Sequence, residues 1–280
     1  MLVNMKQLVE QSYKEKFGVL AINCFNLETI RATIQAAQEQ DSPIIVNMYE
    51  EHLKNNISPE IAGKIVKELA EASPVPIALN LDHGKDESII QRCLDSGFTS
   101  IMIDASDYDL EENIEITKKN HENAKKYNAC VEAELGHMGD ADTYSLENIS
   151  DYTTKLADVK RFVEETRVDC LAINVGTAHG LYSEKVEPTL DFELLKKINE
   201  EASIPLVLHG GSGAGQKNLS EAIKYGITKI NVGAAIFAAG REAIERTAEK
   251  DLSKVMLLME QAYKQEIVNY MGWVNSKNKA

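Results

Sequence analysis

Six histidines occur in the 280 residues, and three of them share a local setting. They stand in Asp82-His83-Gly84, in Thr177-Ala178-His179-Gly180 and in His209-Gly210-Gly211-Ser212-Gly213, each next to glycine. Three imidazoles with one open coordination position make a catalytic zinc site. A neighbouring glycine lets the backbone bend so that each ring can face a common point. His52, His121 and His137 lack this setting. Asp82 adjoins a proposed ligand, where a carboxylate either orients a histidine or exchanges a proton with a substrate hydroxyl. Asp104 and Glu134 could hold a second cation or orient the histidines. The two glycine-rich loops offer backbone N–H groups suited to a phosphate or another oxyanion.

These residues form one site only if the elements between them bring them together. Eight short apolar runs recur along the chain: Gly18–Ile22, Ile44–Met48, Ile77–Leu81, Ser100–Ile103, Ala129–Glu134, Cys170–Asn174, Leu206–Leu208 and Lys229–Val232. They read as strands buried on both faces. Between them lie segments of helical period: Leu27–Gln40, Glu60–Ala72, Asp86–Ser96, Glu111–Tyr127, Lys155–Thr166, Asp191–Ala202 and Gln216–Tyr225. Pro43, Pro76 and Pro205 sit where a helix hands over to a strand, and Gly97 and Gly226 sit just past helix ends. Eight strands alternating with helices predict a parallel sheet, closed as a single (β/α)8 TIM barrel over residues 1–280 with a C-terminal helical extension. That extension holds Trp273, the one tryptophan, and could serve subunit packing. In such barrels chemistry sits at the carboxyl ends of the strands. Asn23, Asp82, His83, Asp104, Glu132, Glu134, His179, His209 and Asn231 all fall there.

The composition excludes other classes. Forty-four acidic and 30 basic residues leave a net charge of −14, which argues for solubility and against nucleic acid. No run of 18 apolar residues is present, so no membrane span is expected, and Met1–Glu10 lacks the pattern of a signal peptide. Cys24, Cys93, Cys130 and Cys170 are widely separated, as buried free thiols in a reducing cytoplasm would be. Gly139–Thr154 is polar, either a surface loop or a mobile lid that carries an acid/base group.

Five motifs in order resemble the class II, zinc-dependent fructose- and tagatose-bisphosphate aldolase family. They are L-D-H-G at 81–84, V-E-A-E-L-G at 131–136, N-V-G-T-A-H-G at 174–180, L-H-G-G-S-G at 208–213 and K-I-N-V at 229–232. The resemblance runs from Gly18-x-x-Ala-x-Asn23 through nearly the whole chain. It implies reversible aldol cleavage of a ketose in the cytoplasm by a homodimer or homotetramer. It implies that His83, His179 and His209 hold Zn2+, which polarises the substrate carbonyl. Asp82 would move the proton of the hydroxyl on the carbon that becomes the aldehyde. Gly180, Gly211 and Ser212 would cradle the ketose 1-phosphate, and Asn231 would contact the dihydroxyacetone portion. Asp104 and Glu134 match positions assigned to a second divalent or a monovalent cation.

Three departures bear on the substrate. After K-I-N-V the family continues with Asp or Asn and then Thr, side chains that finish the phosphate site; here Gly233-Ala234-Ala235 follows. An arginine that serves the distal phosphate in some members has no counterpart at Phe237. After strand two, Tyr49-Glu50-Glu51 replaces a serine and small residues, and the two carboxylates would repel a dianion. The lid's usual G-G-x-E-D reads Gly139-Asp140-Ala141-Asp142, which would leave Asp142 as the proton-shuttling acid. These changes predict a reduced preference for ketose bisphosphates.

Overall fold

The computed structural model describes residues 1–137, 139, 152–181 and 188–280. Eight parallel strands close into a barrel in sequence order, β1 (Val19–Asn23), β2 (Ile44–Tyr49), β3 (Ile77–Gly84), β4 (Ser100–Ile103), β5 (Cys130–Leu135), β6 (Cys170–Ile173), β7 (Leu206–Leu208) and β8 (Ile227–Val232). Closure is made by β8 on β1, with Val19 opposite Lys229 and Ala21 opposite Asn231. All eight expected strands are present. The outer helices are α2 (Leu27–Gln40), α4 (Pro59–Glu71), α5 (Glu87–Asp95), α6 (Leu110–Lys125), α7 (Leu156–Thr166), α8 (Phe192–Ala202) and α9 (Gly211–Lys224). Gly97 and Gly226 take φ of +82° and +108° as their positions required. At Gly226 a Cβ would lie 2.3 Å from Asn199 Oδ1, so a side chain there would have to displace the Asn199 amide as well as adopt this φ.

The strands alternate between two environments, which is why their sequences look apolar rather than striped. Leu20, Ile22, Ile44, Val46, Leu79, Leu81, Val131 and Ile230 pack outward against the helices. Val19, Ala21, Ile45, Ala78, Met102, Cys130, Cys170, Ala172 and Val207 form a second cluster inside the barrel. Higher up the same inward parity turns polar: Asn23, Asn47, Asn80, Asp82, Glu132, Glu134, Lys229 and Asn231 continue the inward rows.

Two elements were not expected from the sequence. Helix α1 (Met5–Glu15), capped by Asn4, buries Met5, Leu8 and Val9 in the inner cluster and so plugs the amino end of the barrel. The i, i+3, i+4 spacing of those residues carries the signal. Helix α3 (Glu50–Asn55) is a six-residue turn at the top of β2. The C-terminal extension is an α-hairpin, α10 (Ala234–Arg246) and α11 (Leu252–Trp273), with α11 packed on α2. The four cysteines are buried and free. Among the described residues, no helix is long and apolar enough to cross a membrane.

Candidate active site

The carboxyl ends of the strands surround a cavity of about 500 Å³. His83 and His179 line it, and His209 lies buried against them, the three rings coming from three strand ends with centroids 5.0 Å (83–179), 4.8 Å (83–209) and 5.9 Å (179–209) apart. Each offers one nitrogen within 4.8 Å of the others. The backbone is bent to achieve this. His83 has φ +50°, a left-handed conformation uncommon for a side-chain-bearing residue, and the β3–β4 register shifts between Leu81 and Gly84. Gly210, at φ +70°, lies so close to the β6–β7 side of the rim that a Cβ would sit 2.3 Å from the Ala178 carbonyl oxygen. The two loops carrying His179 and His209 therefore approach backbone to backbone here, with no space for a side chain between them. The His179 amide donates to Gly139 O at 2.8 Å.

Two imidazoles are oriented by buried carboxylates. Asp104 Oδ2 lies 2.8 Å from His83 Nδ1, and Glu132 Oε1 lies 3.0 Å from His209 Nε2. These contacts direct the lone pairs of His83 Nε2 and His209 Nδ1 at each other across 3.1 Å. Two lone pairs at that distance require a shared proton or cation. A tetrahedral zinc with Zn–N of about 2.0–2.1 Å would space its ligands by roughly 3.3–3.4 Å. Glu134 Oε2, 3.8 Å from His83 Nδ1, is buried without a hydrogen-bond partner. The donor set therefore fits a divalent cation.

Burial alone would depress the His83 imidazole, but Asp82, Asp104 and Glu134 outweigh it and push it up to about 9. Burial, with the charges of His83 and Lys229 beside it, holds His209 well below its usual value. Burial lifts the Glu134 carboxyl to about 8. For Asp104 burial works upward, yet its contact with His83 wins and holds it well below the usual carboxylate range. Asp82 follows the same pattern: burial would raise it, but His83, His209, Lys229 and the Asn23 amide keep it low.

Asp82 is fixed by two amides, Asn23 Nδ2 at 2.8 Å on Oδ2 and Asn231 Nδ2 at 3.0 Å on Oδ1. Behind them, Asn80 Nδ2 donates to Asn47 Oδ1 at 2.7 Å, and Asn47 Nδ2 to Asn23 Oδ1 at 3.4 Å. Lys229, fully buried, joins this network to the histidines: Nζ donates to Asn231 Oδ1 at 2.7 Å and forms an ion pair with Glu132 Oε2 at 2.8 Å. Sequence reasoning assigned no role to Lys229, Asn47 or Asn80. Their inward parity, shared with Asp82, Glu132 and Asn231, was the signal.

Segments α9 and α10 both begin at the cavity, at Gly211 and Ala234, and neither has a cap from its own N-cap residue; α9 is broken at Gly215 (φ 79°, ψ 155°), so its opening turn is separate from the helix that follows. Ser212 Oγ accepts from the amides of Gly233 at 3.1 Å and Ala235 at 3.2 Å, so it caps α10 from a neighbouring element. Gly180, Gly210, Ser212 and Asn231 line the cavity, and Gly211 is buried beneath it. Glu50 and Glu51 also line it, but the charge of Glu50 is compensated. Its Oε2 accepts from the amides of Lys85 (2.6 Å) and Asp86 (2.9 Å), and its Oε1 pairs with Lys54 Nζ at 2.6 Å. Glu50 is thus a bracket between α3 and the loop after β3, and only Glu51 is left as an exposed acid. Lys85 Nζ lies 2.5 Å from Asp107 Oδ2 and 3.5 Å from Asp104 Oδ2, so an ammonium already neutralises those oxygens. Asp142 lies outside the described residues.

A family model described as "Fructose-bisphosphate aldolase class-II" matches residues 3–279. A fructose-bisphosphate aldolase of Helicobacter pylori (strain J99) is 35% identical, over 100% of both chains. A 6-phospho-5-dehydro-2-deoxy-D-gluconate aldolase of Bacillus velezensis is 34% identical, over 89% of this chain and 85% of its own. The crystal structure of the YdjI aldolase from Escherichia coli K12 superposes with a TM-score of 0.90 at 30% identity, covering 100% of both chains.

Proposed function

The chain belongs to the class II fructose-bisphosphate aldolase family, and on that premise we propose that it catalyses reversible aldol cleavage of a ketose to a dihydroxyacetone phosphate fragment and an aldehyde. One barrel over residues 1–280 carries the site. The observation that carries the proposal is the convergence of three imidazoles, two of them carboxylate-backed, with an amide-clamped Asp82 at one rim. His83, His179 and His209 would hold the divalent cation, Zn2+ on this donor set, and that ion would supply Lewis-acid polarisation of the substrate carbonyl. Asp104 fixes the tautomer and direction of His83, and Glu132 does so for His209. Asp82, kept ionised by its neighbours, takes the proton of the substrate hydroxyl during cleavage and returns it during condensation. The two amides leave each Asp82 oxygen with lone pairs for that transfer.

One phosphate site is supported although the family's Asp/Asn-Thr side chains are absent. Gly210, Ser212, Gly233 and Ala234 bring the opening turn of α9, with its backbone amides, and the N-terminus of α10, with its positive dipole end, to one wall of the cavity. Ser212 spends its acceptor lone pairs on α10 and keeps its O–H to donate to a phosphate oxygen. Asn231 would contact the dihydroxyacetone portion. Asp142 is proposed as the lid acid, and a homodimer or homotetramer in the cytoplasm is the expected state.

A lysine Schiff base is disfavoured by the pairing of the two lysines near the site, Lys229 on Glu132 and Lys85 on Asp107. The test is retro-aldol turnover of a ketose panel, phosphorylated and not, with the zinc-loaded protein. A chelator should abolish activity, and Asp82→Ala should lose turnover while retaining zinc. Covalent trapping by borohydride in the presence of substrate would sink the proposal.

A further inference from the structure

We propose that the wall built by Tyr49, His52 and Phe237 is a neutral aromatic subsite that seats the unphosphorylated aldehyde half of a ketose 1-phosphate. This rests on the aldolase reading above and narrows its substrate class.

The location follows from Asp82, which acts at the carbon that becomes the aldehyde. Tyr49 is the β2 residue paired with Asp82 in register, and its ring meets that of His83 at 6.0 Å. His52, one turn of α3 further, lies edge-on to Tyr49 at 5.5 Å and to Phe237 at 6.0 Å. Phe25 backs the shelf, 5.6 Å from His52 and 5.1 Å from Phe237. Tyr49, His52 and Phe237 all line the cavity.

This wall presents no cation. A terminal phosphate is normally held by a clamp of Arg or Lys, or by oriented backbone amides. Lys85 is the one Lys or Arg among the described residues lining the cavity, and it is bound to Asp107 and Asp104. A phosphate on the shelf would meet the electron-rich faces of the rings. It would also meet Glu51, whose side chain is half exposed and shares Lys54 with Glu50. His52 does not supply the missing charge. Its Nδ1 is buried without a hydrogen-bond partner, so protonation would create an unpaired buried donor. Burial also lowers its pKa, against the opposing pull of the Cys24 carbonyl and Asp82. The C–H faces of a neutral polyol chain pack on such rings without loss. The phosphate wall at α9 and α10 remains for the other end of the substrate.

The zinc-loaded protein is given dihydroxyacetone phosphate in D2O, and proton exchange is followed by NMR. Condensation is then measured with D-glyceraldehyde, D-glyceraldehyde 3-phosphate and succinic semialdehyde. Exchange should occur, and kcat/KM for D-glyceraldehyde should exceed that for its 3-phosphate by about tenfold or more. Phe237→Arg, which places a guanidinium on the shelf, should move that ratio toward the phosphorylated aldehyde by about tenfold. Exchange together with equal or better use of the phosphorylated or the carboxylate-bearing aldehyde, or of none, overturns the subsite while leaving the aldolase reading intact. Absence of exchange removes the aldolase reading itself.

Discussion

Replacing Lys229 with methionine tests whether the buried network at the base of the site is held by charge pairing. Lys229 and Glu132 are both 0% exposed, and their charged atoms lie 2.8 Å apart. Methionine keeps the stem of the lysine and deletes the ammonium. Glu132 is then left as a buried carboxylate with His209 Nε2, at 3.0 Å, as its remaining polar contact. Breaking a buried pair by removing one partner costs about 3–5 kcal/mol, because the other charge stays desolvated and uncompensated. Asn231 Oδ1 loses its donor at the same time, which adds about 1 kcal/mol. Against a total stability of about 5–15 kcal/mol, this is a large fraction. Urea unfolding of the zinc-loaded wild type, Lys229→Met, Glu132→Gln and the double variant measures it. The double variant removes both charges and should cost less than the sum of the two singles by about 2 kcal/mol or more. A cost below about 1 kcal/mol for Lys229→Met, the level of an exposed pair, would refute the reasoning, since it would mean that solvent reaches Glu132.

Three further outcomes are expected. Asp104→Asn should weaken zinc binding by about 10- to 100-fold in a chelator competition, because it removes the carboxylate that aims His83. Metal binding at pH 7 should release about one proton, readable by calorimetry in buffers of different ionisation enthalpy. His83 at about 9 is protonated at pH 7 without metal and must lose that proton to ligate, so affinity should fall as the pH drops below 9. The native protein should resist thiol-specific reagents at pH 8: burial lifts Cys24 to about 12 and leaves all four thiols inaccessible, so titration of four groups should require unfolding.

The strand–helix rhythm, the eight strand positions and the three histidines at one rim were legible in the sequence. Each rests on local pattern. Apolar runs mark strands, helical periods mark the crossovers, and glycine next to histidine marks a turn at a strand end. Helix α1 was equally local, with Met5, Leu8 and Val9 at helical spacing. Nothing in its sequence, however, says that its apolar face fills the barrel's amino end.

What only the tertiary structure decided was partnership across the barrel. Lys229 and Glu132 are 97 positions apart by their numbering, and Asp82 is held by Asn23 and Asn231 from two other strands. Closure of β8 on β1 brings these inward positions to one level, and no spacing along the chain encodes that level. Glu50 shows the same limit: by sequence it is an anion at the mouth of the pocket, yet two amides and Lys54 absorb its charge. Residue types fix what chemistry a site can perform. Which charges remain free to perform it depends on long-range contacts, because a carboxylate's behaviour is set by the donors and dielectric around it.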